Sequence, residues 1–410
     1  MKPKLSPFRA LKIKNFRNFW FAMLAFQLAM QMQMVAANWQ MYILTHSAVN
    51  LGLLGLFGFL PVLLFSPFGG IAADKLSRKK IMVASQCALC LGSLVLAITT
   101  HLAVVTPVVL YSVIAFQSMI LSFDLPARQS IVPSLVPSEY FVNAVSLTTI
   151  LRQISTVLGP SIAGFLIEFF GVKSVYTLNA IAFMTSFTAL LFIALPGLTH
   201  NKNVELSVSS VLEGMHFIRK SPLIYSTMIL DFFATFFASA TTLLPIFAAD
   251  ILKTGARGLG FLYAAPSAGA VIAGLFIASH HNMKNQGRIL LIGIFVYGLA
   301  TVAFGFSKSY LLSLVFLSLV GVGDMISTVI RNTIRQITTP DYLRGRMVAV
   351  NMIFFMGGPQ LGETEGGLLA AAVGAPASVV IGGVGTIIAT VLVAIFIPKL
   401  RKYQGHELAV

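Results

Sequence analysis

Charge is scarce in this 410-residue chain: 10% of its residues are charged and 57% are hydrophobic. Its mean hydropathy is +0.87, and that composition excludes a soluble fold of this size. Acids are the scarcer charged class, 13 against 28 Lys and Arg. There are 2 cysteines, Cys87 and Cys90, both inside one apolar run, so no disulfide framework is expected. At i,i+3 they read as small residues filling a helix interface rather than as soft-metal ligands, and no metal site is expected. No HExxH, GxSxG or phosphate-binding P-loop occurs, and no segment outside the apolar runs is long enough to hold a cofactor. The chain therefore reads as neither an enzyme nor a cofactor carrier.

What is present in abundance is apolar runs. A membrane helix needs about 20 apolar residues. Runs of that kind predict an all-α membrane protein with twelve transmembrane helices, at 17–44, 49–73, 80–100, 105–125, 141–169, 174–195, 222–249, 259–280, 288–306, 310–330, 346–371 and 377–397. Most cations then fall on one side, from Lys2 to Arg17, Lys75 to Lys80, and at Arg128, Lys202, Arg219, Lys220, Lys284, Arg288, Arg331, Arg335, Arg344, Arg346, Lys399, Arg401 and Lys402. The opposite loops hold only Lys173, Lys253, Arg257 and Lys308, and Arg152 lies within a span. Cytoplasmic enrichment in Lys and Arg puts both termini inside. The +15 net charge is thus a topology signal, scattered over helix ends, and no nucleic-acid partner is expected. The first run follows a basic stretch but is too long for a signal-peptide core and reads as a retained span.

The two halves repeat at an offset of 203 residues, the distance from Arg128 to Arg331. Pro137 maps onto Pro340, Ala163-Gly164 onto Gly366-Gly367, and Gly171 onto Gly374. Two related six-helix bundles follow, over 1–200 and 221–410, and a parallel duplication of this kind places a substrate site near the bilayer midplane. The linker 201–220 carries Val208, Val211, Leu212, Met215 and Ile218 at helical spacing, which predicts a short amphipathic helix on the inner leaflet.

Between the second and third runs stands Gly69-Gly70-Ile-Ala-Ala-Asp74-Lys75-Leu-Ser-Arg78-Lys79-Lys80, a tight hinge with one acid and four cations. Gly70-x-x-Ala73-Asp74-Lys75-x-x-Arg78-Lys79 resembles the loop 2–3 signature of the major facilitator superfamily. Asn15-Phe16-Arg17-Asn18-Phe19-Trp20, Asp124-Leu-Pro126-Ala127-Arg128-Gln129, Asn143-Ala144-Val145 and Pro340-Asp341-Tyr-Leu343-Arg344-Gly345-Arg346 resemble one branch of it, the enterobactin-exporter-like drug:proton antiporters. Helix five adds Gly159-Pro160-Ser-Ile-Ala163-Gly164, similar to the antiporter motif of exporting members, with Ser155 where that motif has its upstream glycine. The resemblance spans essentially the whole chain. It implies the major facilitator fold, a monomer in a bacterial inner membrane, and helix pairs five–eight and two–eleven as the seams between halves. Gly159, Pro160 and Gly164 on helix five and Gly358 and Gly362 on helix eleven are then expected to pack between the halves, since small residues allow close approach.

Few charges lie inside the apolar runs, and each costs about 2.5–3.5 kcal/mol at mid-helix on insertion scales. Asp231, Asp324, Glu363, Glu365 and Arg152 are the candidates for intramembrane chemistry. An acid that takes up a proton facing outward and releases it facing inward couples transport to the gradient. Asp231, Glu363 or Glu365 is expected to be that carrier, with Arg152 as its countercharge or as an anion-binding group; interhelical hydrogen bonds that only fix the fold are the competing reading. Glu363 and Glu365 stand about 200° apart on a helix and are not expected to share a cavity. Asp124 and Arg128, with Asp74 and Arg78, are expected to form a cytoplasmic gate. Gln27, Gln31 and Asn38 share a face of helix one beside several methionines, a lining suited to a bulky amphipathic ligand.

These features favour a proton-coupled exporter of a small amphipathic molecule, a siderophore or drug-like compound, working by alternating access. An importer or facilitator of a metabolite or metal–siderophore complex is the second reading. The implied partners are a small-molecule substrate, protons and the lipid bilayer.

Overall fold

The computed structural model describes residues 8–194, 215–219, 221–238, 240–279, 284–340 and 343–405, without the side chains of Asp74 and of residues 344–346, 348–349 and 352–356. The expected inner-leaflet helix around Val208, Val211 and Leu212, and the side chain of Asp74 at the proposed gate, lie outside the described residues.

The long apolar runs form helices α1 Lys14–Thr45, α2 Ala48–Lys75, α3 Arg78–His101, α4 Pro107–Leu135, α5 Phe141–Phe170 and α6 Val172–Leu191. After these come α7 Pro222–Phe237, α8 Gly255–Ser279, α9 Gln286–Phe306, α10 Tyr310–Thr338, α11 Arg344–Val373 and α12 Ala375–Phe396. Among the described residues 11 helical segments are long and apolar enough to cross a membrane. α11, although 30 residues long, is not one of them.

The helices group into two units. One holds Met1–Thr45 and Phe57–Val204; the other holds His46–Leu56 and Glu205–Val410. In the first, α1 packs on α5 and α6, and α3 on α4 and α6. In the second, α7 packs on α11 and α12, and α9 on α10 and α12. The second pattern is the first shifted by six helices, as the internal repeat requires. Gly171 and Gly374, one repeat apart, end α5 and α11 at φ of +78° and +87°. That backbone conformation favours glycine because it has no Cβ to clash. The cores are apolar, around Phe16, Phe19, Met82, Ile131 and Leu147 in one unit and Leu230, Leu290, Ile294, Ile330 and Ile334 in the other. Outward faces carry Phe21, Leu64, Leu275, Phe276, Phe306 and Phe396 exposed, surfaces that suit lipid and would aggregate in water.

Three helix ends differ from the sequence expectation. α4 continues to Leu135, through Pro126 and Pro133, rather than stopping at 125. α10 runs to Thr338 rather than 330. Charges at Asp124, Arg128, Arg331 and Arg335 looked like the ends of apolar runs, but all four are buried inside the bundles, where ion pairing offsets their desolvation. Helix seven, expected to be continuous, stops at Phe237 and resumes as a 3-10 turn Ala240–Leu243, a single turn Leu244–Ile246 and a π-helical turn Phe247–Ile251. Pro245 in that stretch supplies no amide hydrogen for a regular ladder.

Candidate functional site

The densest buried charge lies in the second unit. Asp231 on α7 receives Arg331 Nη2 at 3.0 Å on Oδ1 and Arg335 Nη2 at 3.2 Å on Oδ2, both from α10. Arg335 also donates to the hydroxyl and carbonyl of Thr227, one turn before Asp231. Asp324 stands 3.7 Å from Arg331 and is far more open, its side chain 49% exposed. Two acids and two arginines thus meet in one cluster, with Asp231 bridging both guanidinium groups.

The expected countercharge was Arg152. The structure corrects this: Arg152 is exposed on α5, and Asp231 is instead saturated by Arg331 and Arg335. Both arginines looked like topology-setting cytoplasmic cations in the sequence. Their spacing was the available signal, since i and i+4 on α10 point both at one partner helix.

Glu363 and Glu365 sit on α11 without a cation in ion-pair range among the described residues. Glu363 is hydrogen-bonded to the Thr241 side chain just past the break in helix seven. Its carboxylate also packs on the opening turns of α2, where a Cβ added to Gly55 would stand 2.6 Å from Oε2. In the same region Thr364 donates to the Gly52 carbonyl at 3.3 Å and Thr242 to that of Leu51 at 3.3 Å. Glu365 points elsewhere, into a small cavity shared with Phe237, Thr301 and Ser378. The two acids thus occupy separate surroundings, as their angular separation on a helix requires.

In the first unit Arg128 clasps Asp124 within α4, Nε to Oδ2 at 2.7 Å and Nη2 to Oδ1 at 3.2 Å. The guanidinium carbon lies 4.0 Å from the centre of the Phe26 ring on α1, a cation–π contact. Gln86 on α3 donates to Asp124 at 3.4 Å. Arg78 was expected beside this pair; its guanidinium instead donates to the Ser130 carbonyl at 2.7 Å, further along α4. The repeat is visible here too: Arg128 and Arg331, equivalent in sequence, each reach from the fourth helix of their unit to its first.

Gln27, Gln31 and Asn38, expected to line a cavity, are half-buried; Asn38 donates to the Met34 carbonyl of its own helix at 2.9 Å, and Gln31 packs where a Cβ on Gly159 would sit. The fully buried amides of α1 are Gln33 and Gln40 instead. Gln33 accepts from Asn179 at 2.7 Å, and Gln40 accepts from the Tyr176 hydroxyl at 2.8 Å and donates to Thr100 at 2.9 Å. With Gln86 and Ser93 on α3 and Gln117 on α4 they make a polar seam through the first unit. Spacing of seven residues, 33/40 and 86/93/100, marked that seam in the sequence and was missed.

The glycines assigned to inter-half packing make their close approaches inside their own units. Gly159 faces Gln31 and the Leu28 carbonyl of α1; Gly358 and Gly362 face Thr235 and the Phe236 backbone of α7. Pro160 and Gly164 are buried on α5.

Three comparisons with known proteins bear on this arrangement. The family model for transmembrane secretion effectors of the major facilitator superfamily type matches residues 5–409. The enterobactin exporter EntS of Shigella boydii serotype 18 is 27% identical over 371 residues, covering 90% of this chain and 88% of that protein. EntS of Escherichia coli O127:H6 matches to the same extent. Among solved structures, a POT family transporter bound to 5-aminolevulinic acid superimposes with a TM-score of 0.76 at 12% identity, over 94% of this chain and 96% of its own. A bacterial homologue of the human lysosomal transporter Spinster gives a TM-score of 0.66 at 13% identity, over 95% of this chain and 97% of its own. At such identities the structures speak for the fold alone, while the sequence matches speak for the family. With helices long and apolar enough for a multi-pass membrane protein and no enzyme among these relatives, the chain belongs to the transmembrane secretion effector family of major facilitator superfamily transporters.

Proposed function

We propose that this protein exports a small amphipathic molecule, siderophore-like in class, from the bacterial cytoplasm across the inner membrane in exchange for protons, by alternating access. Twelve spans, with α11 as the one rich in charge and glycine, both termini cytoplasmic and a monomeric working unit complete the reading. Its support in direction and substrate class is the name of the EntS relatives, which match this chain over nearly their whole length.

The proton carrier in this reading is Glu363. The observation that carries it is the contrast between two intramembrane acids: Asp231 is held by two arginines, whereas Glu363 has a hydroxyl neighbour and, among the described residues, no cation. An unpaired carboxylate inside a membrane protein is costly as an ion and much cheaper when protonated. A site that changes protonation needs that near balance, and an arginine clamp removes it. Asp231 and Arg331 then serve as an internal brace of the second unit, and Asp124 and Arg128 as its counterpart in the first, near the expected cytoplasmic gate.

The test is made in proteoliposomes of known orientation with a pH-sensitive dye inside. Candidate siderophores and cationic dyes are added in turn under an imposed proton gradient. Proton flux opposite to substrate movement supports antiport. Substrate movement without proton flux, or with flux in the same direction, overturns it and favours an importer or facilitator.

A further inference from the structure

Beside the break in helix seven lies a narrow cavity within the second unit, with room for about one water-sized particle. Phe237 and Ala238 at the end of α7, Thr301 on α9, Glu365 on α11 and Ser378 on α12 line it. Among the described residues no other charged side chain does so.

The oxygens there are prepared in one sense. The Thr301 hydroxyl donates its proton to the Tyr297 carbonyl at 2.9 Å, and the Ser378 hydroxyl donates its own to the Gly366 carbonyl at 2.9 Å. With its hydrogen engaged, each hydroxyl oxygen has only lone pairs left to offer. Both residues are buried, so bulk water does not compete for them. The end of α7 adds carbonyls that no longer have an i+4 amide. The Phe237 carbonyl is one of them, aimed at Gly382, one turn along α12 from Ser378. Broken membrane helices present unwound carbonyls and helix C-termini to small cations. A wider apolar groove lined by Phe236, Leu361, Thr364 and Leu368 meets the same Glu365.

We propose that this cavity is a binding site for one alkali cation, held by the Glu365 carboxylate and the Thr301 and Ser378 hydroxyl oxygens. The donor set is all hard oxygen, which excludes a thiolate- or imidazole-seeking metal. One carboxylate balances one positive charge, whereas a divalent ion would leave a net charge in a buried site. A space for a single particle suits sodium or lithium better than a larger ion. The proposal stands apart from proton-coupled export and from the role of Glu363.

The full-length protein in detergent tests it by thermal unfolding in sodium, lithium, potassium or choline chloride, at fixed pH and total ionic strength. A ligand that binds the folded state stabilises it saturably. Sodium is expected to raise the unfolding temperature along a saturation curve that choline does not reproduce. Glu365→Gln and Ser378→Ala should each raise the half-saturating sodium concentration about tenfold or more, an effect of about 1.4 kcal/mol. Glu363→Gln should leave it unchanged. Should Glu365→Gln fail to fold, binding of radiolabelled sodium to wild type and to Thr301→Val decides the matter. Equal effects of sodium and choline, or an unaltered sodium response in the Glu365 and Ser378 variants, would overturn the site. Because no substrate is involved, these results are independent of whether the protein exports anything.

Discussion

Arg331 Nη2 lies 3.0 Å from Asp231 Oδ1, joining α10 to α7 deep inside the second unit, with both side chains 3% exposed. Arg335 closes on the other carboxylate oxygen, so one carboxylate pairs with two guanidinium groups. Asp231→Asn is therefore expected to lower folding stability by about 3–5 kcal/mol, because it leaves buried positive charge without a partner. Asp324→Asn, at a half-exposed side chain 3.7 Å from Arg331, should cost about 1 kcal/mol or less. Unfolding of the purified variants in detergent measures both; equal losses would refute the distinction.

The Asp124–Arg128 pair is expected to behave as a unit. Asp124→Asn and Arg128→Gln each break a buried pair and should each cost about 3–5 kcal/mol. The double variant should cost less than their sum, and a double-mutant cycle reads the coupling directly. Phe26→Leu removes the ring under the guanidinium and should weaken the same pair by about 1 kcal/mol.

Glu363→Gln should leave folding and substrate binding intact while removing the dependence of transport on an imposed pH gradient. Gly55→Ala offers a steric version of the same test, since the added Cβ would stand 2.6 Å from Glu363 Oε2. Transport rates in proteoliposomes with and without a gradient separate these effects from simple loss of protein. Undiminished gradient-driven transport in Glu363→Gln would remove Glu363 from the coupling step.

Two glycine substitutions should be costly for different reasons. At Gly269 on α8 an added Cβ would collide with the Ser318 backbone of α10, so Gly269→Ala should cost about 1–3 kcal/mol through overpacking. Around Gly171 the space is open, but φ is +78°, so Gly171→Ala should cost about 1–2 kcal/mol through backbone strain alone. Comparing unfolding of the two with the equivalent Gly374→Ala checks the assignment, because Gly374 must follow Gly171.

Hydropathy alone determined the long helices and their order, because a bilayer imposes a minimum apolar length that few other environments require. The pairing of Gly171 with Gly374 and of Arg128 with Arg331 was likewise readable, since a duplicated chain repeats its special residues at a fixed offset. Partners were not readable. A charge in an apolar run looks the same whether it ends a helix or sits inside one, and only the approach of α10 to α7 brought Arg331 and Arg335 onto Asp231. The same holds for the amides of α1, where helix rotation buried Gln33 and Gln40 and left Gln27 and Gln31 half-buried. The break after Phe237 and the cavity at Glu365 belong to tertiary structure as well, because carbonyls freed on one helix acquire meaning only from the side chains that three other helices bring to them.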